Sequence, residues 1–535
     1  MDTAVARRMC HMSSTIRTEP DWMEALKDAE RCAVWATEAK AKELTDIEFR
    51  YVLNELAYYS SLHPPDGNAR LSAADGVWFS DSLIDLEMTN ELKNHAAILA
   101  SAPDHQRDWY PDGESRMLNL IDPSLFPLIY SRSKLCRQSS MSVQASFKVE
   151  VPGEFPGSID KWREALNGTD SSMPSYHIPP VQSCYDTCAS RGFSRLPSEF
   201  HVSENGAVTI ESYINNLHPV KHAPLYPIIA SVFSKFVPLL EQVVTDLVHP
   251  RQLRVVPDRS KYYRSDEPLP ECNDQLDREY LEWREHAAFV HPQPKPFVAP
   301  EHPISPYSLR GRRLQAIVRM SNIELTLENP IYAGVDWNLA GLANEHIIAT
   351  GVFFYNVANI AESSLLFREA FSPWDFEAYN FDVDIISLVY GIDKEDFWNS
   401  ESLLQEIGGV TIEDGRCLVF PSVLQHRMPA LKQADANRPG HCKMLTFYFV
   451  DPSIRIPSTE IVPSQQKSWL LEELLTFEPF HSLPRLIVDG IMDKIDFPFS
   501  LKEAKKLRLK MVDIYESVFM DMSYTIFAPC YDNCC

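Results

Sequence analysis

The chain has 535 residues, 45% of them apolar, enough to bury a large core and to exclude wholesale disorder. Its 74 acidic side chains against 50 basic ones leave a formal charge of −24. That balance excludes a general basic surface for nucleic acid, because phosphate contacts need clustered Lys and Arg. Glycine is scarce at 18 and proline abundant at 39. The patterns G-x-G-x-x-G, G-x-x-x-x-G-K and G-x-S-x-G are all absent, so the glycine-built phosphate cradles and the hydrolase nucleophile elbow have no residues to form them.

No run approaches the roughly 18 consecutive apolar residues of a membrane span. The stretch Met1–Arg8 lacks the apolar core of a secretory signal. Eleven irregularly spaced cysteines fit reduced thiols, and Cys184 and Cys188 have no second Cys/His pair at zinc spacing. The terminal Cys534-Cys535 lacks the polybasic context of a prenylated tail. The expectation is a cytoplasmic protein with a small-molecule partner and neither membrane nor nucleic acid.

In chain order, residues 1–20 are expected to be disordered, and 21–250 read as a mainly helical region packing on the core. Within it, 18–63 hold two helices. Trp22, Leu26, Ala29 and Ala33 recur at helical spacing, and Thr45-Asp46-Ile47-Glu48 forms a capping box before Phe49, Val52, Leu53 and Leu56. Residues 108–130 are turn-rich and apolar, and 152–183 are rich in Gly, Pro and Ser, as in an exposed excursion. Asn205-Gly206 between short apolar runs predicts a hairpin. Leu225–Leu247 predicts a long buried helix kinked at Pro238, where an N–H is missing.

Residues 251–306 form a Pro-rich connector containing His291-Pro292-Gln293-Pro294-Lys295-Pro296. Beyond it the character changes. Leu314–Leu327, His346–Val357, Ile385–Tyr390, Arg416–Pro421 and Lys443–Asp451 are short β-branched or aromatic runs, which predict a compact β domain over 307–465. Residues 466–535 close the chain as a helical extension, with helices around Trp469–Leu475 and Leu501–Phe519. The fold class is α+β.

One constellation in the C-terminal half carries chemical information. Asp336-Trp337-Asn338-Leu339-Ala340-Gly341 precedes a strand-like run from Glu345-His346. Later come Gly415-Arg416-Cys417-Leu418-Val419-Phe420-Pro421, Gln425-His426-Arg427 and the strand from Lys443 to Asp451. This order resembles the double-stranded β-helix (a jelly-roll, cupin-like core) of the 2-oxoglutarate/Fe(II) oxygenases, prolyl-hydroxylase-like branch. Asp108-Trp109-Tyr110-Pro111, Pro123 to Tyr130, Ser212 to Pro219 and Asn344-Glu345-His346-Ile347 resemble a large fungal family of unknown function whose C-terminal half is oxygenase-like. That match spans about residues 20 to 465.

The resemblance implies Fe(II) and 2-oxoglutarate, held by two imidazoles, one carboxylate and a basic residue opening the last strand. His426 supplies the distal imidazole. Asn338 stands where the family carries His, and Ala340 where it carries Glu. None of the sixteen histidines begins a His-x-Asp or His-x-Glu. At the anchoring position stands Cys442, with Lys443 beside it. The expectation is therefore no cofactor, with Fe(II) and 2-oxoglutarate as the alternative and Asp336, Glu345 or His346 as replacement ligands.

Three readings follow. The first is an enzyme of fungal specialised metabolism doing non-oxidative acid/base chemistry in the retained cavity. His426, Asp336 and Tyr448 would be catalytic, and Asn338, Ala340, Trp337, Lys443, Cys442 and His346 would bind substrate. The second is an iron-dependent oxygenase or halogenase-like oxidoreductase with an atypical site. The third is a ligand-binding pseudo-enzyme. Oligomeric state is left open.

Overall fold

The computed structural model describes residues 2–19, 21–61, 69–103, 107–110, 116–134, 189–190, 192–249, 253–257, 263–264, 278–299, 307–371, 383–395 and 403–525. The 152–183 excursion, the Cys184/Cys188 pair and the Cys534-Cys535 tail lie outside them.

The first residues correct the expectation of disorder, because α1 spans Ala4–Arg17. Thr3 caps it by accepting from the Ala6 N–H at 3.1 Å. Val5, Met9, Met12 and Ile16 recur along one face and are fully buried. Then come α2 Trp22–Ala25, α3 Ala29–Ala41 and α4 Asp46–Ser61. The capping box forms as read: Glu48 accepts from the Thr45 N–H at 3.0 Å, and Thr45 accepts from the Glu48 N–H at 3.3 Å. Helix α5 spans Leu86–Ala100.

Helix α6, Leu225–Val248, continues through Pro238 as one element. Its best 18-residue window has a mean hydropathy of 1.4, enough by length and composition to suit a membrane, yet 67% of that window is buried inside the protein. Helix α7, Arg278–His286, lies in the connector. Helix α8, Val383–Tyr390, replaces the strand expected at Ile385–Tyr390. Val383, Ile386, Val389 and Tyr390 are its buried residues, a helical period hidden in a run whose β-branched content favours a strand. The C-terminal helices are α9 Lys467–Leu474, α10 Arg485–Asp493 and α11 Leu501–Thr525.

The principal strands are β1 Trp78–Ser80, β2 Met117–Ile121, β3 Ser198–Val202, β4 Val208–Ile210, β5 Arg312–Leu325, β6 Ile347–Ala358, β7 Ser364–Ala370, β8 Leu404–Thr411, β9 Cys417–Pro421, β10 Gln425–Arg427 and β11 Gly440–Val450. One antiparallel sheet runs β1-β9-β6-β11-β5, and β5 pairs at its far side with both β2 and β3. A second runs β8-β7-β10. The N-terminal half is thus more than a helical wrap: it contributes β1 to β4 to the same sheet. The hairpin at Asn205-Gly206 joins β3 to β4, and Gly206 adopts a φ of +85° that a side chain would resist.

Alternation sorts β11 between two environments. Phe447 and Phe449 meet Phe233 and Phe236 of α6, with ring centroids 5.3–5.5 Å apart. On the other face, Cys442 and Met444 join Phe354, Phe367, Leu418 and Phe420 in an apolar cluster between the two sheets. Gly351 of β6 lets α6 approach, since a Cβ there would lie 2.8 Å from Phe236 and 2.9 Å from Phe449. Gly351→Val is expected to lower stability by about 1–3 kcal/mol through overpacking, read as a fall in the thermal midpoint. An unchanged midpoint would show that α6 does not sit this close to the sheet.

Candidate functional site

The site is built where the segment 331–338 runs antiparallel to 426–432. Ile331 pairs with Lys432, Tyr332 with Leu431, and Asn338 with His426. Asn338 and His426 exchange both backbone bonds, at 3.1 and 3.0 Å, so their side chains emerge side by side on one face. Gly334 makes the approach possible: its φ is +86°, and a Cβ would lie 2.5 Å from the Met428 carbonyl oxygen.

The His426 ring lies 4.9 Å from the Phe420 ring. Its Nδ1 is buried without a hydrogen-bond partner among the described residues. Burial pushes this imidazole down to about 4, because low-dielectric surroundings disfavour the charged form. At neutral pH it is therefore uncharged, able to accept a proton or one hydrogen bond.

Asn338 does not complete a ligand pair with it. Its side-chain amide donates to the Asp336 carbonyl oxygen at 3.0 Å. Ala340 is 3% exposed and packs with Ile317, Ile347 and Tyr448. The Ala340 carbonyl accepts from Arg195 Nη2 at 2.6 Å. Asp336 is exposed. Among the described residues, no three His, Cys, Asp or Glu side chains group as a metal-ligand set.

Glu345, considered as a replacement ligand, is committed elsewhere. It is fully buried and paired with Arg195, whose Nε and Nη2 donate to its carboxylate at 2.9 and 2.5 Å, while the Arg195 N–H adds a bond of 2.8 Å. Gly341 leaves room for the pair, since a Cβ would lie 2.6 Å from both partners. Arg195 in turn stacks on the Tyr448 ring, 4.4 Å from its centroid. His346 turns the chain into β6 with a φ of +47°, and its carbonyl accepts from the Asp451 N–H at 2.8 Å.

Three residues expected to bind substrate lie elsewhere. Trp337 neighbours Asn338, so alternation turns it to the opposite face from His426. There it stacks with Arg368 at 4.4 Å and Arg427 at 6.0 Å. Burial, reinforced by the like charge of Arg427, pulls the Arg368 guanidinium down to about 10. Cys442 is fully buried, and burial pushes its thiol up to about 12. It pairs with Val357 and Ile323, six residues along β11 from Tyr448, or about 20 Å. Lys443, next to it, takes the opposite face of β11.

Residues not singled out from sequence share the inner face with His426. Thr350 of β6 pairs with both Phe420 and Tyr448. It is 1% exposed, and its hydroxyl has no partner among the described residues. The buried Ser422 hydroxyl is likewise unpartnered, while its N–H donates to the Ile348 carbonyl at 2.8 Å. Arg319 of β5 pairs with Thr446 and shares a face with Ile317, Ile323 and Leu325. The legible signal was Arg319 itself, a charge in the middle of the apolar stretch Ala316–Met320.

Among the solved structures that match, three show only weak likeness. The Fe(II)/α-ketoglutarate-dependent dioxygenase TqaL matches with TM-score 0.23 and 8% identity, over 71% of this chain and 96% of its own. IDO from Bacillus thuringiensis gives 0.16 and 12%, over 26% and 45%. A bsmA homolog from Methylobium petroleophilum PM1 gives 0.16 and 11%, over 27% and 45%. The chain thus spans under half the length of the last two. No curated protein matches the chain. Residues 46–473, most of the sequence, match the family described as "Protein of unknown function (DUF4246)", and the chain belongs to that family.

Proposed function

We propose that this protein is a cytoplasmic enzyme modifying a small molecule of fungal specialised metabolism, by acid/base chemistry that does not run through an iron–oxoglutarate centre. The observation that carries the reading is the Asn338–His426 pair. The chain sets side by side the two positions where a facial triad would place its imidazoles, and only one of them is an imidazole. The strand order supports a double-stranded β-helix: β9-β6-β11-β5 in one sheet, and β8-β7-β10 with the 331–338 segment in the other.

The residues present do not fit Fe(II) with 2-oxoglutarate. The Asn338 amide donates to the Asp336 carbonyl, Ala340 has no donor side chain, and Glu345 is paired with Arg195. The inner face next to His426 carries the apolar cluster of Phe354, Phe367, Leu418, Phe420 and Met444. Losing partners around a metal costs about 10–100-fold in affinity even when the direct ligands stay. Here two of three direct donors are replaced.

The chain's own residues suit a metal-free step. Neutral His426 accepts a proton from substrate at Nδ1, and the Thr350 and Ser422 hydroxyls orient the reacting group. Tyr448, held by Arg195 on its ring, lies beside Thr350 across the β6–β11 pair. Asp336 is exposed and takes no part.

The test has two arms. Protein incubated anaerobically with ferrous salt and 2-oxoglutarate is expected to retain less than stoichiometric iron after desalting, and to form no succinate in air. EDTA-treated protein, given a panel of small carboxylic acids, is expected to yield a product isomeric with its substrate or differing by water. One equivalent of iron lost on His426→Ala, or products that only gain oxygen, would overturn the reading.

A further inference from the structure

The family match ends at residue 473, and the helices that follow carry apolar surface that their own chain leaves exposed. Helix α10 has Leu486, Ile487, Val488, Ile491 and Met492 among its nine residues. Val488 and Met492, one turn apart, are the buried ones. Leu486, Ile487 and Ile491 lie on other faces and are 84%, 49% and 40% exposed. Phe477, 56% exposed, stands in the turns leading into the helix. A surface helix normally turns one apolar stripe inward and polar side chains outward, whereas a helix apolar on several faces is normally buried on several. Helix α10 buries only one against its own chain.

Its glycine points the same way. Leu486 and Gly490 form one stripe of the exposed surface, and Ile487 and Ile491 form the next. A Cβ at Gly490 would meet nothing within 4 Å. No contact inside the chain therefore calls for a glycine there, although a glycine in mid-helix costs stability. What it provides is room for a second backbone beside Leu486 and Ile487.

We infer that this face is a homodimer interface, in which α10 of one copy packs on α10 of a second across a two-fold axis. Beside the apolar stripes stand Asp493 and Lys494, both exposed and of opposite sign. The face is thus near neutral in a chain of −24, and two copies meet there without the repulsion their surfaces impose elsewhere. An anionic membrane fits poorly, because α10 lacks the row of Lys and Arg that such binding uses. Leu486, Ile487, Ile491 and Phe477 expose on the order of 400 Å² of apolar surface, the size at which a patch on a monomer is often functional. With the flanks of the patch, two copies bury about 1,200 Å² in all, the lower end for a specific interface. That area suits a dimer dissociating at roughly micromolar concentration.

The test is sedimentation velocity of the full chain from about 1 to about 100 µM. The wild type is expected to pass from monomer to dimer and to stop there, since an isologous interface closes on itself. Leu486→Glu and Ile487→Lys are each expected to weaken association about tenfold or more, without lowering the melting temperature of the dilute protein. Gly490→Leu is expected to act likewise, by filling the space the second helix needs. A substitution that favours the helix yet loosens the dimer separates an interface from a structural glycine.

A chain monomeric across the whole range, one that grows beyond two copies, or a dimer that survives both Leu486→Glu and Ile487→Lys would each overturn the assignment. Co-sedimentation of the monomer with phosphatidylserine-containing vesicles, lost in Leu486→Glu, would overturn it in favour of a lipid surface.

Discussion

Arg195→Met is expected to be the most destabilising single substitution near the site, costing about 3–5 kcal/mol, because it strands a buried carboxylate. The Glu345 side chain is fully buried and that of Arg195 is 7% exposed, so solvent cannot replace the lost partner. The guanidinium also holds the Ala340 carbonyl and covers the Tyr448 ring, so the 336–340 segment loses its tether as well. The double variant Arg195→Met/Glu345→Leu is expected to recover most of the loss, since apolar replacement of both partners removes the desolvation penalty with the charge. Chemical denaturation of the two single variants and the double variant makes the cycle. A loss below about 1 kcal/mol for Arg195→Met would mean that the pair is wetter than its geometry describes.

The second large effect is a pH dependence. Burial pushes His426 down to about 4 in the folded chain, against about 6.5 when unfolded. Between those values the unfolded state binds the extra proton, so stability rises with pH through this window. The contribution is complete above about pH 6.5 and is lost as the pH falls toward 4. Its size is about 3 kcal/mol. Other buried groups titrate in the same range, so the comparison with His426→Gln isolates it: the variant should lose stability less steeply between pH 6.5 and 4. Parallel profiles for the two proteins would place the imidazole in water and remove its role as a neutral proton acceptor. Under the proposed acid/base chemistry the same titration would bear on activity, because protonation consumes the lone pair at Nδ1.

Local chemistry was legible where short-range rules suffice. Thr45 and Glu48 announced a helix start, Asn205-Gly206 a hairpin, and the apolar run from Leu225 a buried helix. The strands at 312–325, 347–358, 417–421 and 440–450 appeared within a few residues of their runs. The disorder expected at 1–20 failed because α1 is stabilised by what it packs on. Its Val5–Met9–Met12–Ile16 face was readable, but its burial partners lie far along the chain. The run at Ile385–Tyr390 failed for the reverse reason, since six residues cannot separate a helical period from a β-branched composition.

For the site, one-dimensional reading was enough for composition: which residues stand at 338, 340 and 426, and that no histidine begins a His-x-acid pair. Those identities are properties of single positions and need no fold. Pairing, facing and neutralisation are properties of position in space. Only the assembled sheets put Asn338 against His426, turned Trp337 and Lys443 away, and joined Arg195 to Glu345 across 150 residues. Strand register and long-range ion pairing are set by which apolar faces bury against one another, and that competition is decided by the whole chain at once.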